Sequence, residues 1–136
     1  MEHKNSLIRN GIITAVIVLL VLVIPFVRFR WINITPDTVG SISVRNGLSG
    51  NLFEINERDS VVSLLEMVNE IGPVFGLRAG APGYVYLLVF YAPDGSEVDR
   101  ITLVSENEVV IDNFTGNTNI SDVLDYLSDI ETGITK

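Results

Sequence analysis

The chain has 136 residues, 17 acidic against nine basic for a net charge of −8, no Cys and one His, yet its mean hydropathy is +0.38. So acidic a chain is this apolar on average only where its hydrophobic residues are concentrated. Leu7 to Ile32 holds 19 apolar side chains in 26 positions, which leaves about 41% over the other 110 residues, a normal share for one small globular domain. The same counts exclude a disulfide framework, a Cys-ligated zinc or iron–sulfur centre and a thiol nucleophile.

From Asn10 to Val27 no residue is charged. As helix that stretch covers about 27 Å at 1.5 Å per residue, against a hydrocarbon core of roughly 30 Å, and the pattern predicts a membrane-spanning helix. Lys4 and Arg9 precede it, Arg28 and Arg30 follow it, and Trp31 takes the place of an interfacial aromatic residue. The alternatives are a cleaved signal peptide, which needs a small-x-small site that PFVRFRWINIT does not offer, and a helix buried in a soluble protein.

The basic residues are balanced across the span, so the N-terminal amine tips the N-terminus toward the cytoplasm. From Trp31 onward five basic residues (Arg45, Arg58, Arg78, Arg100, Lys136) face 16 acidic ones, a net of −11. Such a domain is repelled by an anionic leaflet and by nucleic acid, which predicts an extracytoplasmic location in the cell membrane and no nucleic-acid partner. The chain thus divides into a cytoplasmic tail over 1–9, a transmembrane helix over 10–30, a connector over 31–37, an extracytoplasmic domain over 38–132 and a C-terminal tail over 133–136.

Within the domain, Ile42 and Val44 alternate with Ser41, Ser43 and Arg45 as in a half-buried strand. Asn46-Gly47 supplies two positive-φ turn positions, and Phe53 and Ile55 belong to the returning strand. Val61, Leu64, Leu65, Val68 and Ile71 recur at helical spacing, with Asp59 as N-cap, Gly72 after the C-terminus and Pro73 beyond. The apolar run Tyr84 to Tyr91 reads as a central strand covered by helix on at least one side. Ile101 and Leu103, then Val109 and Ile111, mark two further strands, and Ile120, Val123, Leu124, Leu127 and Ile130 a second amphipathic helix closed by Gly133. The expected fold class is α+β: a single N-terminal transmembrane helix, then a small antiparallel sheet of about five strands in the order ββαβββα with two packed helices.

Chemistry is sparse. The single His lies in the N-terminal tail and the domain's single Lys is the last residue, which excludes a Ser-His-Asp triad or a His-containing metal site in the domain and leaves no catalytic residue to assign. Paired carboxylates suffice for glycoside cleavage, and Asp94, Glu97 and Asp99, or Glu106, Glu108 and Asp112, lie close in sequence, but in turns where acids are ordinarily just solvated. The Asp94–Asp99 stretch lacks the ligand spacing of a calcium loop, so no metal and no cofactor is expected. Gly72 to Gly83 (GPVFGLRAGAPG) has no phosphate-loop Gly-Lys-Ser/Thr. Its Phe75 and Leu77 either fold back over a helix end or sheet edge, or join Arg78 as anchors of a partner-binding loop.

The stretch Ile42 to Ile55 (ISVRNGLSGNLFEI), Asp59 opening a helix that ends at Asn69-Glu70-Ile71, and Tyr91-x-x-Asp94-Gly95 between strands resemble uncharacterised small ectodomains of Gram-positive bacteria. The resemblance covers Ile42 to Ile130 and implies a short anchored domain with no known activity; the apolar Gly72–Gly83 loop and the scarcity of Lys depart from it. The reading is a membrane-anchored, non-catalytic interaction module. It is held to the lipid bilayer by its N-terminal helix, with a protein or cell-envelope partner. The alternatives are an accessory subunit of a membrane complex, joined through that helix, and a carboxylate-based hydrolase.

Overall fold

The computed structural model describes residues 2–23, 29–76, 83–112 and 114–133. In chain order the elements are α1 (Glu2–Val23), β1 (Phe29–Trp31), a 3-10 turn (Pro36–Thr38), β2 (Ser41–Asn46), β3 (Leu52–Ile55), α2 (Arg58–Asn69), β4 (Pro73–Phe75), β5 (Tyr86–Tyr91), β6 (Glu97–Ser105), β7 (Glu108–Ile111), β8 (Phe114–Asn117) and α3 (Ser121–Thr132). Six strands form one antiparallel sheet in the order β3-β2-β5-β6-β7-β8, and β1 pairs with β4 in a small second sheet.

Alternation decides how the large sheet is covered. Ile42 and Val44 on β2, Tyr86, Leu88 and Phe90 on β5, Ile101 and Leu103 on β6, and Val109 and Ile111 on β7 are buried. They share one cluster with Val61, Leu64, Leu65 and Val68 of α2 and Val123 and Leu127 of α3. Each fully buried Leu, Ile or Phe contributes about 1.5–3 kcal/mol from apolar transfer. The period of two then sends Ser43, Arg45, Leu87, Val89, Tyr91, Arg100 and Thr102 to the opposite face.

The segment over 31–37, expected as a connector, packs into the core. Ile32, Ile34 and Val39 are buried. The Asn69 side chain takes both backbone groups of Ile34, accepting from its N–H at 2.9 Å and donating to its carbonyl at 2.9 Å. Arg58 donates to the carbonyls of Pro36 (2.8 Å) and Val39 (3.3 Å) and pairs with Asp37.

The expected membrane-spanning helix over 10–30 is corrected. Among the described residues no helix is long and apolar enough to cross a membrane. Helix α1 starts at Glu2, so its first turns carry Glu2, Lys4 and Arg9. Its uncharged part, Asn10 to Val23, is about 21 Å long at 1.5 Å per residue, well short of roughly 30 Å of hydrocarbon. The longer estimate counted residues 24–27, which lie outside the described residues, and Phe29–Trp31 is a strand rather than the end of a helix. The single-pass placement in a cell membrane, with a cytoplasmic N-terminus and an outside domain, rested on that span and falls with it, and the bilayer partner loses the same support. Ten large apolar side chains of α1 between Ile8 and Leu22 are 50–63% exposed.

The expected five-strand order is corrected as well. Pro73–Phe75, expected inside a loop, is strand β4, with Val74 opposite Arg30 and Phe75 opposite Phe29. Strand β8 returns antiparallel to β7 after a turn in which Asp112 takes φ 53°. Strand β4 runs beside β8: the Thr115 N–H donates to the Gly76 carbonyl at 3.3 Å. A Cβ on Gly116 would lie 2.8 Å from Val74 Cγ1, so glycine is what lets the two strands approach. Arg30 ties the small sheet to the large one, with Nη2 donating to Asp99 at 3.1 Å and Nε 3.4 Å from Asp112, an ion pair without hydrogen-bond geometry.

Turn chemistry also differs. Neither Asn46 nor Gly47 has positive φ; Gly50 does, at 77°. Asn46 instead accepts the Leu48 and Ser49 N–H groups on Oδ1 (2.8 and 3.0 Å). Gly47 is needed for a different reason: a Cβ there would collide with the Tyr84 carbonyl oxygen. Glu57 rather than Asp59 holds the N-cap position of α2, and Asp59 sits in the first turn, where its charge favours the helix dipole.

Candidate interaction surface

Of the loop residues singled out from sequence, only Phe75, on β4, lies among the described residues; Leu77 and Arg78 lie outside them. The carboxylates of the Asp94–Asp99 stretch are each engaged by a neighbour. Asp94 accepts from the Ser96 hydroxyl (2.6 Å) and N–H (2.9 Å), which hold its carboxyl below the usual value. Glu97 receives two guanidinium bonds from Arg100, both 3.0 Å, with the same effect, and Asp99 pairs with Arg30. A general acid needs its pKa raised, and both shifts run the other way. Among the described residues no three His, Cys, Asp or Glu are grouped to hold a metal ion.

A denser polar cluster lies where α3 meets the β2–β3 turn. The Glu131 carboxylate accepts from Asn46 (2.8 Å) and Tyr86 (2.9 Å) on Oε2, and from Asn51 (3.0 Å) and Ser49 (3.4 Å) on Oε1. Bonds from Asn46 and Asn51 hold its pKa below the ordinary carboxylate value. Burial, then the bond to Glu131, pushes the Tyr86 hydroxyl up to about 12. Four donors around one anion make this a clamp on the end of α3, since a carboxylate so well satisfied in its charged form is a poor proton donor.

No described helix packs on the sheet face opposite α2 and α3, although Val89 and Val110 on that face are themselves buried. Following the register, one row reads Leu52, Arg45, Leu87, Thr102, Val110, Thr115, and the next Glu54, Ser43, Val89, Arg100. Two shallow depressions lie on it. One of about 320 Å³ is lined by Ser43, Arg45, Leu52, Leu87, Val89, Tyr91 and Arg100; the other, of about 310 Å³, by Tyr84, Leu87, Arg100, Thr102, Val110 and Asp112. They share Leu87 and Arg100, so they are two halves of one concave strip across β2, β5, β6 and β7. Leu87 and Tyr91 are half-buried and Val89 is 8% exposed, while Leu52 at the strip's outer edge is 63% exposed. Aliphatic floor, Tyr and Arg together form the side-chain mixture of interface centres.

This face was not singled out from sequence, although a signal was present. Tyr84 to Tyr91 is apolar at every position, so a strand there has an apolar back as well as an apolar front, and among the described elements α2 and α3 pack on only one of them. No family model, no curated protein and no solved structure matches the chain.

Proposed function

We propose that this protein is a non-catalytic binding module that engages a partner protein through the open face of its six-stranded sheet. The observation that carries the reading is the concave strip centred on Leu87 and Arg100, lined by Leu52, Val89 and Val110 together with Arg45, Tyr84 and Tyr91, on the face that no described helix covers. Antiparallel sheets with one solvated face ordinarily present polar residues there. Here Leu87, Val89, Tyr91 and Val110 interrupt that pattern in adjacent strands.

A photo-crosslinking residue placed at Leu87, compared with one at the exposed Glu66 on α2, tests the reading in cells that produce the protein. A discrete adduct from position 87 and none from position 66 is expected. Equal labelling from both positions, or no adduct from 87, refutes it.

A further inference from the structure

We infer that the depression beside Arg45 is a binding site for a carboxylate carried between apolar side chains on a short peptide segment of a partner protein. This rests on the open-face reading above and gives it a ligand chemistry.

Size argues for a segment. Six strands about 4.8 Å apart, with a central strand of six residues at about 3.4 Å each, make a face of roughly 24 by 20 Å, on the order of 480 Å². A face of that extent accommodates a few extended residues along the strands.

Charge argues for the carboxylate. Of the described arginines from Arg30 onward, Arg30 is paired with Asp99 and Asp112, Arg58 with Asp37, and Arg100 with Glu97. The Arg45 side chain makes no hydrogen bond or ion pair among the described residues, although the domain carries a net charge of −11. It is the penultimate residue of β2, directly opposite Leu52 on one side and Leu87 on the other, and Glu54, diagonal to it on the same face, forms no ion pair with it. A guanidinium in that setting selects a planar anion, and the adjoining Leu87, Val89 and Tyr91 accommodate apolar side chains on either side of it. A cationic segment would meet both Arg45 and Arg100.

The test uses the full chain, uniformly labelled with nitrogen-15 and dispersed in a non-ionic detergent. It is titrated with Ac-Phe-Glu-Phe-NH2 and with its neutral isostere Ac-Phe-Gln-Phe-NH2. The expected result is amide shifts at Ser43, Arg45, Leu87 and Val89 with the Glu peptide, and binding about fivefold tighter than that of the Gln peptide. Arg45→Gln should bring the two peptides level, and Arg45→Lys should keep part of the preference. Equal open-face shifts from both peptides would overturn the carboxylate assignment while leaving the open-face reading in place. Shifts confined to another surface, or none from either peptide, also overturn the inference, and the crosslink at Leu87 then decides the open-face reading separately.

Discussion

Replacing Glu131 by Gln changes no heavy-atom shape but turns one of two acceptors into a donor. In the folded protein that side chain faces donors throughout: Asn46 and Tyr86 on one oxygen, Asn51 and Ser49 on the other, at 2.8 to 3.4 Å. Whichever way the amide is turned, its NH2 meets two of them. Charge-assisted bonds are worth about 1.5–3 kcal/mol each at best. Glu131 is half-exposed, so solvent screening reduces the whole cluster to about 1–2 kcal/mol. For a domain of this size that is a fall in Tm of about 5–10 °C. The pH dependence carries the sign. The folded pKa of Glu131 lies below its ordinary value of 4.5, so its contribution is fully present above that value and is lost as pH falls through the folded pKa. Thermal melts of the two proteins by circular dichroism should therefore differ by a constant amount from pH 6 to 8 and converge toward pH 3. Equal melting at pH 7, or a difference that persists unchanged in acid, would refute the clamp.

Three other changes probe different parts of the fold. Tyr86, with its hydroxyl pushed up to about 12, favours the folded state below its ordinary value of 10.0 and loses that contribution as pH rises from there toward 12. Tyr86→Phe should accordingly narrow the stability gap to wild type across that alkaline window in urea titrations, and a gap that stays constant counts against it. Gly47→Ala drives a Cβ into the Tyr84 carbonyl and should cost about 1–3 kcal/mol in urea unfolding, whereas Gly11→Ala, with open space around it inside α1, should not lower the midpoint. Gly116→Ala meets Val74 Cγ1 at 2.8 Å and should loosen β4 from β8, seen as faster hydrogen exchange at the Thr115 amide with the α2 amides still protected; uniform loss of protection would contradict the local effect.

Legibility in the sequence followed the length and regularity of each segment. Helices α2 and α3 bury Val61, Leu64, Leu65 and Val68, and Val123 and Leu127, the positions marked by helical spacing. Strands β2, β5, β6 and β7 bury Ile42, Val44, Leu88, Phe90, Ile101, Leu103, Val109 and Ile111 on one side, as the period of two requires. Strands β1 and β4 have three residues each, too few to show a period, and β8 is Phe-Thr-Gly-Asn, whose Gly and Asn disfavour strand. Those strands exist because their partners hold them: Val74 packs on Gly116, and Arg30 reaches Asp99 from 69 residues away in the chain. The segment before them misled for a related reason. Hydropathy continues unbroken through 24–27, but it does not register where helix ends and strand begins.

By itself, then, the sequence determined the composition of the core, the acidic surface and the absence of Cys and His chemistry from the domain, because those are properties of residue types and local period. Tertiary structure alone decided which apolar residues would be left uncovered. Both sides of Tyr86–Tyr91 are apolar, and no local pattern states that α2 and α3 will pack on the same side of it. That choice buries Phe90 and leaves Leu87, Tyr91 and the arginines beside them as the surface on which this protein's binding is proposed to rest.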